Sequence, residues 1–208
     1  ATHYHTWSPD SKLLAFVKFN ERAVKEFSFQ TFLDKNKNDF LLYPEQKAFK
    51  YPKAGEENSH AIVCIYDDYN KTTRVVELIN DDADHYIPRI KWTNSSDQLA
   101  VFQLNRNQNQ LDMYMVNPRT MIAKLLTREE SKTFVDYKNI DYLKFCENST
   151  DYYSVSSRDG YKHIYRHRKD GSIARQVTKG DWDITDFYGV DEKRDIVYYQ
   201  SAESSPLQ

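Results

Sequence analysis

Residues 5–16 read HTWSPDSKLLAF and residues 90–102 read IKWTNSSDQLAVF. Both place an aromatic residue before a short polar turn and an apolar run, the pattern of one strand turning sharply into the next. The pattern returns more loosely at Phe145 (FCENSTDYYSV) and near Tyr188 (YGVDEKRDIVYY), so the successive intervals are 85, 53 and 43 residues. After each of the first three copies comes a second hairpin: AIVCIYDDYNKTTRVVEL, LDMYMVNPRTMIAKLL and YKHIYRHRKDGSIARQV. Their turns, Asp67 to Asn70, Asn117-Pro118 and Asp170-Gly171, use residues that tolerate tight-turn angles or bond their own backbone. Two hairpins per repeat make four strands, and four strands in about 40 to 50 residues is the period of a β-propeller blade. The expected fold is all-β, with about four four-stranded blades forming part of a propeller over residues 1–208.

The first interval is too long for one blade, and the excess lies at about residues 27–55, FSFQTFLDKNKNDFLLYPEQKAFKYPKAG. An alternating strand, a polar tip and a return strand predict an inserted hairpin arm. Phe27, Phe29, Phe32, Phe40, Leu41, Leu42, Tyr43, Phe49 and Tyr51 crowd it. A two-stranded arm cannot bury that much apolar surface on itself, so it is expected to pack on a neighbouring domain or subunit.

Composition agrees with sheet and removes several partners. The 16 Tyr and 11 Phe suit a pleated, half-buried surface. Basic and acidic residues number 29 and 31 and are interspersed, which leaves no electrostatic footprint for nucleic acid or anionic lipid. No apolar run approaches the ~20 residues that span a bilayer. Cys64 and Cys146 lack partners at metal-clip spacing and read as buried strand thiols. Asp81 to His85 (DDADH) has metal-like composition but reads more simply as a turn between blades, and His3 with His5 share one face only if that segment is a strand. None of the five glycines forms a nucleophile elbow, and phosphate-loop and dinucleotide motifs are missing. No cofactor is expected. Trp182 and Phe187 are expected to fill an inter-blade core.

In order along the chain, WSPDSKLLAFVKFNER, YPKAG, IPRIKWT, LNRNQNQLD, SSRDGYKHIY and RQVTKGDWDITDFYGVDE resemble the N-terminal β-propeller of the dipeptidyl peptidase IV family, most of all its bacterial members. The resemblance implies a serine exopeptidase that releases N-terminal dipeptides, preferring Pro or Ala second, with an eight-bladed propeller joined to an α/β-hydrolase domain. The family's catalytic Ser, Asp and His lie in that hydrolase domain, and no stretch here matches them. Its amine-gripping pair of glutamates precedes the WSPD motif and is expected upstream of Ala1. A Phe-Arg pair beside its second subsite should fall near Val135 to Lys138; this sequence departs from it, and Tyr137 is the candidate substrate wall. The arm is implied to pack against a partner subunit in a homodimer. Peptides with a free N-terminus are the implied substrates, and a periplasmic or cell-surface location the implied compartment. The competing reading is a non-catalytic propeller used as an interaction platform, including a small closed ring of four blades.

Overall fold

The computed structural model describes residues 4–34, 39–78 and 84–205, with backbone alone at 34, 39 and 40. The first repeat opens with β1 (His5–Trp7) and β2 (Leu13–Asn20), joined by the SPDSK turn. The chain then leaves through the arm, β3 (Glu26–Asp34) and β4 (Asp39–Lys50), and returns to β5 (His60–Asp67) and β6 (Thr72–Val75). Strands β1-β2-β5-β6 form one four-stranded antiparallel sheet, while β3 and β4 pair only with each other. The second sheet comprises β7 (His85–Trp92), β8 (Leu99–Asn105), β9 (Gln110–Val116) and β10 (Ala123–Glu130). A 3-10 turn, η1 (Tyr137–Tyr142), leads into the third sheet. Its strands are β11 (Lys144–Phe145), β12 (Tyr152–Ser156), β13 (His163–His167) and β14 (Ile173–Gln176), and a final hairpin joins β15 (Ile184–Asp191) to β16 (Ile196–Ser201). Three blades are thus complete and a fourth contributes its first hairpin among the described residues, which is the β-propeller architecture the repeats predict.

The equivalence of the repeated turns is visible in their hydrogen bonds. The amide after each aromatic donates to the carbonyl five residues on: Ser8 to Leu13 at 2.8 Å, Thr93 to Gln98 at 3.1 Å and Cys146 to Asp151 at 3.0 Å. The same turns also tie each sheet to the next. The Asp10 amide donates to Ser96 Oγ at 3.2 Å, and Asn94 Nδ2 donates to the Cys146 carbonyl at 2.8 Å. The amides of Glu147 and Asn148 donate to the two carboxylate oxygens of Glu192 at 2.5 and 3.0 Å. Polar turn residues therefore do two jobs: they close their own hairpin and satisfy backbone groups of the neighbouring blade.

The core is a series of layers between sheets. Because side chains alternate faces along a strand, β8 feeds two layers at once. Leu99 and Val101 pack with Ala15, Val17, Val63 and Ile65 of the first sheet, whereas Ala100, Phe102 and Leu104 face Leu143 and Tyr152 of the third repeat. Burial on both faces explains why LAVFQL shows no polar alternation. Tyr153, Val155 and Ile164 form the third layer with Ile184 and Phe187. Phe187 is core as expected; Trp182 is only half-buried and lies flat on Tyr199 with ring centroids 6.4 Å apart. Cys64, in β5, and Cys146, one residue past β11, are buried free thiols.

The turn chemistry follows the residues. Asp67 Oδ1 accepts from the amides of Tyr69 and Asn70, and Asn117 Oδ1 from those of Arg119 and Thr120. Gly171 has φ +89°, and a Cβ there would lie 2.0 Å from the Leu126 carbonyl oxygen of the adjacent sheet.

Candidate functional site

A groove of about 780 Å³ opens where β7 begins, beside η1. Tyr4, His85, Arg89, Tyr137, Lys138 and Asp141 are among its lining residues. Tyr137, the candidate wall residue, is the first residue of η1, and the Asp136 carboxylate caps that turn by accepting from the Lys138 amide at 3.1 Å. This cap compensates a backbone donor that the short turn leaves open.

Strand β7 contributes Arg89 to the groove, beside Lys138 and Asp141 of η1 and Glu21. Along HYIPRIKW, Ile90 and Trp92 turn into the layer against the first sheet, and Arg89 and Lys91 bond across to the third repeat. Arg89 forms an ion pair with Asp141 of η1, and Lys91 Nζ donates to the Leu143 carbonyl at 2.6 Å. Burial, followed by the nearby Lys144 and Arg89 charges, holds the Lys91 ammonium below its ordinary pKa. Sequence reading passed over both residues, although the alternation of charged and apolar side chains in RIKW was the available signal. His85 is buried and donates from Nε2 to the Ala61 carbonyl at 3.2 Å, its ring edge-on to His60.

Of the two candidate metal-binding stretches, only His5, Asp84 and His85 fall among the described residues. His3 and Asp81 to Ala83 lie outside them, Asp84 pairs with Arg106 at 2.9 Å, and no group of three or more His, Cys, Asp and Glu side chains could hold a metal ion among the described residues. A Ser–His contact does exist, Ser154 Oγ to His167 Nε2 at 2.9 Å. It is no nucleophile–base pair. His167 is 1% exposed and stacks on Tyr152, and its Nδ1 faces the Gly171 carbonyl instead of an orienting carboxylate. Burial pushes both cysteine thiols up, away from the reactive thiolate.

The arm is built as its sequence predicts. Phe27 pairs with Phe49 across the strands, and Phe27, Phe29, Phe49 and Tyr51 form a ring cluster with centroids 5.8 to 6.1 Å apart, edge-to-face except for the tilted Phe27–Tyr51 pair. Its root is pinned by the Tyr51 amide to the Lys25 carbonyl at 3.0 Å, by Lys25 to Glu56 at 2.6 Å and by buried Val24. The cluster nonetheless leaves Phe27, Phe29, Phe32 and Tyr51 exposed, and Leu42 and Tyr43 are 85% and 80% exposed. The Phe40 backbone pairs with Leu33, while its side chain lies outside the described set.

The whole of residues 1–208 matches the dipeptidyl peptidase IV (DPP IV) N-terminal region. The chain belongs to this family. Relatives include a probable dipeptidyl peptidase 4 from Emericella nidulans, 29% identical over 95% of this chain and 27% of that protein. The inactive dipeptidyl peptidase 10 of Mus musculus is 27% identical over 97% of this chain and 26% of its own length. Among solved structures, the chain superposes on Porphyromonas gingivalis dipeptidyl peptidase 4 with a TM-score of 0.85 and 42% identity, over 98% of this chain and 28% of that one. The chain spans about a quarter of the length of these relatives. No helix among its described residues is long and apolar enough to cross a membrane.

Proposed function

We propose that this chain is the propeller segment of a dipeptidyl peptidase IV-like serine exopeptidase that releases Xaa-Pro and Xaa-Ala dipeptides from free N-termini. The observation that carries this reading is the 42% identity to P. gingivalis dipeptidyl peptidase 4 across 98% of the chain. In it the catalytic Ser, Asp and His lie outside these 208 residues, and the propeller gates access to them. The groove beside η1 faces the incoming peptide, with Tyr137 as a wall. Acidic recognition of the peptide amine would fix the register, because a charge-assisted contact at one end sets which bond meets the nucleophile. The exposed aromatic arm holds two copies together, through residues that include Phe27, Phe29, Phe32, Phe40, Leu42, Tyr43 and Tyr51. The location is extracytoplasmic, in the periplasm or at the cell surface.

The test is hydrolysis by the full-length protein of Ala-Pro-p-nitroanilide beside its N-acetylated counterpart. Release of nitroaniline from the free-amine substrate alone supports the reading. A second reading, a non-catalytic interaction module, draws on the 27% identity to the inactive mouse relative; no turnover of either substrate would favour it. For the arm, Leu42→Asp with Tyr43→Asp should convert a dimer to a monomer in light scattering, and an unchanged dimer would remove the arm from the interface.

A further inference from the structure

The turn η1 sets Tyr137 and Lys138 on the groove, yet it has little of its own to hold it there. It is far shorter than a helix that is stable by itself, and 3-10 geometry bonds less well than an α-helix. Its backbone is closed by the Asn139 amide to the Asp136 carbonyl at 3.1 Å and the Leu143 amide to the Ile140 carbonyl at 3.0 Å. Its placement must therefore come from contacts outside the turn.

Those contacts come from the second, third and fourth repeats. At the start of the turn, the Asp136 carboxylate lies 3.5 Å from Lys162 Nζ, just before β13. Tyr142 Oη donates to the Thr185 carbonyl of β15 at 3.3 Å, and Asn139 and Ile140 are buried. The end of the turn is held by β7. Arg89 and Lys91 stand two apart on that strand and so leave it on the same side. They meet Asp141 and Leu143, likewise two apart: Arg89 by an ion pair, Lys91 by donating to the carbonyl at 2.6 Å. Of all these anchors only Arg89 and Asp141 also line the groove. The Arg89 side chain is 18% exposed, and a guanidinium committed to Asp141 acts on the groove through the turn it holds.

We propose that Arg89, through its ion pair with Asp141, is a positioning residue for the groove: it fixes η1 so that Tyr137 stands as a wall before a peptide arrives. The inference rests on the reading of this groove as the peptide site. A wall that must be ordered during binding costs affinity, so loosening η1 raises KM and leaves kcat nearly unchanged.

Kinetics of the full-length protein on Ala-Pro-p-nitroanilide, well below the Tm of each variant, test this. Arg89→Gln should raise KM roughly three- to tenfold, the cost of ordering one or two side chains on binding, with kcat near the wild-type value. Tyr137→Ala should raise it too, and adding Arg89→Gln to Tyr137→Ala should raise it little further; effects that multiply would overturn the inference. Exchanging the charges, Arg89→Asp with Asp141→Arg, should recover the KM that either single change raises, and no recovery means that Arg89 works by another contact. Hydrogen exchange supplies a measurement free of turnover. In Arg89→Gln the η1 amides should exchange faster while those of β8 keep their protection, and unaltered protection of η1 also sinks the inference. A wild-type protein that cleaves neither substrate removes the peptidase reading and this inference with it, whereas turnover with an unaltered KM in Arg89→Gln removes the inference alone.

Discussion

Trp92 and Trp7 occupy the same place in two copies of one motif, yet the structure assigns them different energetic weight. Trp92 is 7% exposed, packs with the first layer and donates from Nε1 to the Thr6 carbonyl at 3.1 Å, whereas Trp7 is 49% exposed. An indole removes roughly 200 Å² from water, about 5 kcal/mol at about 25 cal/mol/Å² as an upper bound. Large-to-small core changes cost about 3–5 kcal/mol in practice, and the lost hydrogen bond adds about 1. Trp92→Ala is therefore expected to destabilise this chain by about 4–6 kcal/mol, a fall in Tm of roughly 8–24 °C at this size. Trp7→Ala, with half its surface already wet, should cost no more than about 2.5 kcal/mol. Trp92→Phe keeps an aromatic ring in the layer and loses the bond to Thr6, so it should fall between. Calorimetric unfolding of the three variants of the 208-residue chain measures this order. Equal shifts for Trp7→Ala and Trp92→Ala would refute the claim that inter-sheet burial, and not the motif itself, sets the energy.

Further expectations follow from single contacts. Gly171→Ala meets both left-handed strain and the Leu126 carbonyl, while Gly160, at φ +105°, has open space around it; Gly171→Ala should therefore destabilise well beyond the about 1–2 kcal/mol of backbone strain expected for Gly160→Ala. Comparable melting shifts for the two would contradict the clash. Asp112 is buried and accepts from Arg128 at 2.7 and 2.8 Å. Asp112→Ala should lower stability by about 2–3 kcal/mol in urea titration, less than for a fully buried pair because Arg128 can rehydrate. Burial holds the His167 pKa below its ordinary value, with the Arg158 charge adding to it. Below about pH 6.5 the unfolded chain takes up that proton first, so stability drops as pH falls, by up to about 1.4 kcal/mol per unit, until the folded imidazole titrates. His167→Gln should flatten this part of the Tm profile between neutral and mildly acidic pH, and an unaltered acid response would show that His167 does not carry it.

Much of the fold was legible because a propeller repeats local chemistry. The Trp7 and Trp92 turns, the Asp67, Asn117 and Gly171 hairpins, and the arm's alternating Phe27, Phe29 and Thr31 all announce themselves through neighbours a few residues away. The site was less legible. Tyr137 was reached by resemblance, and Arg89 and Asp141 join it only because β7 of one blade lies against η1 of the next repeat, about 50 residues later in the chain.

The sequence by itself determined the strand period, the places where the chain turns, and the length and aromatic character of the arm, since these depend on short-range periodicity and turn residues. Only the tertiary structure decided that Trp92 is buried while Trp7 is half exposed, and that the SPDS, NSSD and CENS turns tie one blade to the next. It also decided that Asn139 and Tyr152 open onto one cavity. The physical reason is that burial and hydrogen-bond satisfaction depend on which faces meet across the sheets, and residues identical in local pattern receive different neighbours there.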